Sequence, residues 1–431
     1  MITPGYLVFL AFRDVSILLG IALLAKYFVY LCAAAYYPLR EQRRRLRTLQ
    51  QEIAVYGEPQ KYEPLVTVIV PAWNEEVGVI TTVESVLTND YHNIEIVVIN
   101  DGSTDNSERI VNEFIHAQRL ERKRNGRVIR QFYQENGGKG KALNLGIRKS
   151  TGAIVLTMDA DSVLAPDAIS KLVSYFRDPS VSVVFGQIRV GNSHGRIIGI
   201  AQQLEYTLFR FYSKRAHCVM GAEYMYDGAC TAFRRAYTFN YFGVFDEKNK
   251  TEDIEMSMRT KYHGMRSIYA EDVICYTEAA ANYKGLMNQR LRWKKGRLDT
   301  FLHYRRIFFS FDKQHNKFLS WFVLPLALIA EVQLLLEPIA IAILVTYCVV
   351  TGQFMSLALS MAAVGVWYVV VALFSSHLSR WERVRLVLMW PMTWPLLYVI
   401  DWIEFHALLR GMFMVLRDDT VEWQTWQREG I

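Results

Sequence analysis

The sequence predicts an α/β domain built on a mostly parallel sheet and joined to an α-helical transmembrane region, and three observations carry that prediction. Short β-branched runs alternate with helical patterns through the middle of the chain. Long apolar runs lie at both ends. The chain has 431 residues, 52% of them hydrophobic, which is more than one core holds and suits a large domain plus membrane spans.

From the N-terminus, Val15 to Tyr37 is apolar over a spanning length and interrupted only by Lys26, with no small-residue cleavage site after it. It reads as a retained helix within residues 1–40, followed by Arg40, Arg43, Arg44, Arg45 and Arg47, which place its C-terminal end in the cytoplasm. The net charge of +7 gathers beside such apolar stretches and not along one soluble face, so nucleic acid is not an expected partner. Five scattered cysteines without metal-ligand spacing fit a reducing compartment and exclude a structural zinc.

Residues 41–296 form the expected cytoplasmic domain. Its strands are Leu65 to Val70, Ile94 to Ile99, Ala153 to Met158 and Val181 to Phe185. Strands alternating with helices of ten or more residues imply a sheet covered on both faces, with ligands at the carboxyl ends of the strands. Residues 297–317 are expected as an amphipathic interface helix, because Arg297 to Phe311 alternates basic and apolar positions; an ordinary surface helix is the alternative. Residues 318–431 carry the remaining spans and tail, from Phe318 to Val350, Phe354 to Ser376 and Leu386 to about Leu416. The first and third runs are too long for one perpendicular span, so each is expected to combine a tilted helix with an interfacial or re-entrant piece. Glu331, Glu337, Asp401, Glu404 and Arg410 would be costly facing lipid. About four spans are expected in all.

The chemistry-bearing residues sit at strand ends. The first strand ends in Pro71-Ala72-Trp73-Asn74-Glu75-Glu76 and the second in Asn100-Asp101-Gly102-Ser103-Thr104-Asp105, where a carboxylate can accept from a base or ribose while the glycine allows close approach. Turn formation and capping are the alternative for Asp101 and Asp105. The third strand ends in Asp159-Ala160-Asp161, two carboxylates able to share Mg2+ or Mn2+ with phosphate oxygens. Upstream, Gly137-Gly138-Lys139-Gly140-Lys141 can offer backbone and ammonium groups to phosphate or sugar; its spacing excludes a Walker loop, and a flexible surface turn is an equal alternative for Lys139. Thr251-Glu252-Asp253 supplies a carboxylate suited to general-base work, or a helix N-terminus capped by Thr251, or both. In Gln289-Arg290-Leu291-Arg292-Trp293, helical spacing puts Gln289, Arg292 and Trp293 on one side, an arginine for pyrophosphate and an indole face for a sugar; a snorkelling Arg and interfacial Trp are the alternative.

Taken in order, NDGSTD, DAD, TED and QRLRW resemble the inverting family-two glycosyltransferases, in particular the membrane-bound processive synthases of cellulose, hyaluronan, chitin and poly-N-acetylglucosamine. The wording INDGSTD and TEDI is most similar to the poly-N-acetylglucosamine synthases, with hyaluronan and Nod-factor chitin-oligomer synthases next. The resemblance implies a GT-A fold, a Rossmann-like mixed sheet, with Asp101 on the uridine, Asp159 and Asp161 on the donor and its Mg2+ or Mn2+, and Asp253 as base. It further implies Lys139, Gln289 and Arg292 on the donor's pyrophosphate side, and Trp293, Glu252 and the loop bearing Cys230 and Thr231 on the acceptor side. The implied partners are a UDP-sugar, a growing glycan or lipid acceptor and the lipids of the plasma (inner) membrane, with a partner subunit or a second copy of the chain left open. UDP-GlcNAc is the first expected donor, and polymerisation of a β-linked polysaccharide coupled to export the first expected activity. Transfer of one or a few sugars to a lipid, and a non-catalytic nucleotide-sugar sensor or transporter, are the alternatives. Two departures are one clear N-terminal span where several relatives carry two, and no C-terminal cyclic-dinucleotide domain.

Overall fold

The computed structural model describes residues 4–121, 127–192, 197–374, 378–417, 419 and 430. Eight strands form one sheet in the order β3-β2-β1-β4-β7-β6-β8-β5. β1 (Val66–Ala72), β2 (Ile94–Asp101), β3 (Val128–Gln134) and β4 (Ile154–Thr157) run parallel as a doubly wound half. β5 (Ser162–Leu164), β6 (Val181–Val190), β7 (Thr231–Arg234) and β8 (Arg266–Thr277) form a mixed half, with β7 antiparallel to both β4 and β6. The four strands expected from sequence are β1, β2, β4 and β6; β3, β5, β7 and β8 were not legible.

Alternation along the strands produces a core on each face. Val66, Val68, Val70, Ile96 and Val98 pack on one side with α2 (Val79–Leu87), α3 (Ser107–Glu121) and α5 (Ala168–Tyr175). Ile69, Val97, Ile99 and Val155 pack on the other with α4 (Lys139–Arg148) and α8 (Glu252–Tyr262). A sheet so covered leaves only its strand ends accessible, and the carboxyl ends of β1, β2 and β4 lie side by side where the strand order reverses.

The boundary expected at residue 41 falls inside a helix, because α1 runs unbroken from Pro4 to Tyr56. Its arginines do more than mark orientation. Arg40 donates to the carbonyls of Cys218 (2.7 Å) and Val219 (2.5 Å) at the end of α7 (Phe211–Val219), while Arg44 and Arg45 pair with Asp178 (3.2 Å) and Asp272 (3.0 Å). These bonds fasten the helix to the domain.

The interface helix expected over 297–317 is not a separate element. Residues 297–303 are the last turns of α9 (Tyr283–His303), followed by a single tight turn at Arg305–Ile307, after which the chain is irregular until Lys317. Beyond it, Leu319–Thr351 is one continuous helix, long and apolar enough to cross a membrane, and includes α10 (Leu324–Thr351); no re-entrant piece divides it. The third run does divide, into α12 (Arg380–Leu388) and α13 (Trp390–Leu416), bent by 80° and passing the same test only as a pair. Between α10 and α12 lies α11 (Met355–Phe374). Among the described residues one helix therefore has spanning length and apolarity, or two if the bent pair counts as one span, against about four expected.

Candidate active site

The NDG and GGK segments are folded onto each other. Asp101, at the end of β2, accepts from Gln134 Nε2 (2.6 Å) and Gly137 N (3.0 Å) on Oδ1 and from Gly138 N (2.9 Å) on Oδ2. Gly138 has φ +87° and Gly102 φ +70°, and a Cβ on Gly102 would lie 2.7 Å from the Asn136 nitrogen, so both positions require glycine. Asp101 thus shapes the loop that launches α4 and stands in the wall of a cleft. Asp105 does the turn work foreseen as its alternative, accepting from Ser107 N (2.9 Å) and Glu76 N (3.1 Å).

Lys139 is not on a surface turn. As the first residue of α4 it points its Nζ between Asp159 Oδ1 (2.5 Å) and Glu252 Oε1 (3.0 Å), joining the DAD and TED segments. Burial works against its ammonium, but the carboxylates of Asp159, Glu252 and Asp253 outweigh it and hold its pKa well above the ordinary value. Ala160, between the two aspartates, is pinned by Thr82, which donates to its carbonyl (2.8 Å), and Asp161 accepts from Ser162 Oγ (3.3 Å) and Thr277 Oγ1 (3.4 Å).

Asp253 occupies the first turn of α8, whose amide dipoles favour a carboxylate. Thr251 stands at the cap position, but its hydroxyl bonds Asn249 Oδ1 (3.0 Å) and caps nothing. Asp253 Oδ1 accepts from Ile254 N (2.8 Å), and Oδ2 from Gly228 N (3.2 Å). Burial and the neighbouring Glu252 push the Asp253 carboxyl up to about 6, against the pull of Lys139 and Arg292. Gly228 has no room for a side chain, since a Cβ there would lie 2.9 Å from Lys139 Nζ and 3.0 Å from Asp253 Oδ2.

On α9, Gln289, Arg292 and Trp293 line the cleft, together as their spacing predicts. Gln289 Oε1 is buried with no hydrogen-bond partner, a donor-seeking group in the cleft wall. Arg292 donates to the Lys250 carbonyl (3.3 Å).

These side chains line one cavity of about 930 Å³, which brings Asp101, Lys139, Asp159, Asp161, Glu252, Asp253, Gln289, Arg292 and Trp293 together. Cys230 and Thr231 are the corrections. Both are buried and neither lines this cavity, because β7 lies inside the sheet between β4 and β6; the loop just before it, Asp227-Gly228-Ala229, is what reaches the cleft.

The cavity also continues to residues that no motif announced: Lys26 and Tyr30 of α1, Glu331 of α10 and Glu404 of α13. There a buried ion network joins α9 to the apolar helices. Arg290 pairs with Glu205 (2.5 Å) and Glu404 (2.7 Å), Lys294 with Glu331 and Glu404 (both 2.9 Å), and Arg297 with Glu331. Arg290 also places its guanidinium 4.6 Å from the centre of the Trp293 ring. Glu331 and Glu404, conspicuous as acids in apolar runs, are thereby accounted for.

The residues fit a divalent cation of modest demands. Among the described residues no group of three or more His, Cys, Asp or Glu side chains could hold an ion, so Asp159 and Asp161 would leave the other positions to diphosphate oxygens and water, as Mg2+ commonly accepts.

Comparison with known proteins agrees with this construction. Residues 67–242 match the family described as Glycosyl transferase family 2, a stretch that begins in β1 and ends after β7. The poly-beta-1,6-N-acetyl-D-glucosamine synthase of Staphylococcus aureus strain COL is 31% identical over 246 residues, 57% of this chain and 57% of that protein. The synthase of the same name from Staphylococcus epidermidis is 31% identical over 281 residues, 65% of this chain and 64% of that protein. Each match spans less than two thirds of the relative's length. In fold, the chain is similar to a mannosyltransferase from Pyrobaculum calidifontis solved in complex with GDP-Man and Mn2+, with a TM-score of 0.53 and 21% identity over 91% of this chain and all of that one. The doubly wound half-sheet, its acidic strand ends and the family match point the same way: residues 67–242 are similar to glycosyltransferase family 2.

Proposed function

We propose that this protein is an inverting glycosyltransferase that builds a β-linked polysaccharide from a UDP-sugar, UDP-GlcNAc first among candidates, on the cytoplasmic side of the plasma (inner) membrane. One observation carries the reading: a half-buried carboxyl, Asp253, pushed up to about 6 and lining a single cavity with the Asp159 and Asp161 pair. A general base works best with a pKa close to the operating pH, where it is mostly ionised yet still basic. Asp253 takes the proton of the acceptor hydroxyl as that oxygen attacks the anomeric carbon, and the bond to UDP breaks on the opposite side. A single displacement of this kind turns an α-linked donor into a β-linked product. Gln289 and Arg292 orient the diphosphate, and Trp293 offers an indole face to the acceptor sugar. Asp159 and Asp161 would hold an Mg2+ or Mn2+, which would supply neutralisation of the leaving diphosphate.

Polymerisation is favoured over a single transfer by the cavity's extent, since it does not close behind Trp293 but runs on to α1, α10 and α13. The printed name of the staphylococcal relatives supports the choice of sugar. The test uses the full chain in lipid nanodiscs with labelled UDP-GlcNAc, UDP-Glc and UDP-GlcA, reading UDP release and product size. UDP-GlcNAc consumption with long products is expected, and Asp253→Asn should bind UDP while losing transfer by about 10²- to 10⁴-fold. A single lipid-soluble product would replace polymerisation by lipid glycosylation. Consumption of no UDP-sugar would leave a nucleotide-sugar sensor or transporter.

A further inference from the structure

The loop that presents a backbone donor to Asp253 is held by an ion pair that the transfer chemistry does not use. One peptide unit, between Asp227 and Gly228, bonds in two directions. Its carbonyl accepts from Thr231 Oγ1 (2.6 Å) and Cys230 N (3.3 Å), and its N–H donates to Asp253 Oδ2 (3.2 Å). Glycine at 228 leaves that unit free to turn, so its direction depends on what grips Asp227. The Asp227 carboxylate is paired with the ammonium of Lys214, a residue of α7 that is 8% exposed. The same ammonium lies over the rings of Phe185 in β6 and Tyr269 in β8, 5.3 and 5.8 Å from their centres, which steadies it further.

α7 is a firm support for this grip. Arg40 of α1 closes its carboxyl end, His217 meets the Tyr30 hydroxyl at 2.6 Å, and Arg215 pairs with Glu271 of β8 at 2.5 Å. Desolvation offsets most of the attraction in so enclosed a pair as Lys214 and Asp227, so what the pair contributes is a fixed geometry. Both partners line the cavity beside Asp253. A hydrogen bond weakens steeply with angle, and a modest turn of the peptide therefore takes its N–H off the Asp253 carboxylate.

We infer that Lys214 is a positioning residue for the catalytic base, acting through Asp227 to keep the Gly228 N–H on the Asp253 carboxylate. The inference rests on the glycosyl-transfer reading. Glu252 on α8, Lys139 on α4 and Arg292 on α9 are the other charges that act on Asp253, and all three stay unaltered in the test. The full chain in nanodiscs with Mg2+ is assayed for UDP release across the acid range, as wild type, Lys214→Met, Asp227→Asn and the double variant. An N–H on a carboxylate favours its ionised form, so withdrawing it should move the acid inflection of kcat/KM upward by about half to one pH unit in all three variants, with UDP affinity by calorimetry unchanged. Direct electrostatics gives a different pattern: losing the cation alone raises the inflection, losing the anion alone lowers it, and losing both leaves it in place. Lys214→Arg, which retains the pair, should retain the wild-type inflection. The double variant leaves no unpaired buried charge to unfold the chain, and so decides the matter even where a single variant fails to fold. An inflection unmoved in the double variant, or lowered by Asp227→Asn, overturns the inference. A wild-type inflection near 6 beside that result leaves the proposed function standing, whereas release of UDP from no UDP-sugar removes both.

Discussion

The electrostatics around Asp253 make a signed prediction about pH. With its carboxyl pushed up to about 6, only about a tenth of the molecules would hold an ionised base at pH 5 and about nine-tenths at pH 7. kcat/KM, which reports the free enzyme, should therefore fall tenfold per pH unit on the acid side, with its inflection near 6. Two neighbours set that position in opposite senses: Glu252 raises it and Lys139 lowers it. The distances at Gly228 place Lys139 Nζ within about 6 Å of Asp253 Oδ2. A unit charge at that distance in an effective dielectric of about 20 is worth roughly 2.8 kcal/mol, or two pH units, and partial solvent screening brings this to about one. Lys139→Met should move the acid inflection upward by about one unit, and Glu252→Gln should move it downward by a similar amount. The assay is UDP release at low donor concentration from pH 4.5 to 8, reading the inflection and ignoring the plateau, since both substitutions also disturb Asp159. Inflections that move in the same direction, or a profile flat across this range, would refute Asp253 as the titrating base.

Chelation of divalent ions with EDTA should abolish UDP release, restored by Mg2+ or Mn2+, and Asp161→Asn should raise the metal concentration needed by at least about tenfold, checked by titration of activity. Glu404→Gln leaves Arg290 and Lys294 short of a shared carboxylate, and breaking such a buried pair should cost about 3 to 5 kcal/mol, measured as a drop in melting temperature in nanodiscs. Thr231→Val should cost about 1 kcal/mol, since it removes the 2.6 Å bond from the Thr231 hydroxyl to the Asp227 carbonyl, while acceptor KM stays unchanged.

What was legible in the sequence is what the backbone makes local. Asp101, Asp159, Asp161 and Asp253 each stand at a strand or helix end, where a short motif and its flanking periodicity suffice to place them, and Gln289, Arg292 and Trp293 follow from helical spacing alone. The errors came where a side chain's direction depends on the sheet. Cys230 and Thr231 sit beside the cleft in sequence, yet β7 turns them inward because antiparallel β4 and β6 enclose it on both sides. Helix boundaries failed for a related reason. Arg297 to Phe311 has the alternation of an interface helix, but the first seven residues extend α9, and the helix stops at His303.

The half of the cavity beside the apolar helices was illegible because its order is made by distant pairs. Arg290 bonds partners 85 and 114 residues away, and helical spacing, which sets it apart from Arg292, names neither partner. Acids in the apolar runs signalled that something must meet them, without saying what. Burying three cations with three carboxylates is weak evidence for stability, because desolvation offsets most of the attraction. Its consequence here is geometric: the same Arg290 that lies against Trp293 is held by Glu404 of α13, so the Trp293 indole in the cleft wall and the helix at the cavity's far end share one fixed charge. Any movement of α13 relative to α9 would have to break that pair or carry Trp293 with it. The cleft wall at Trp293 and the apolar helices therefore act as one piece, a property that no single motif along the chain could have encoded.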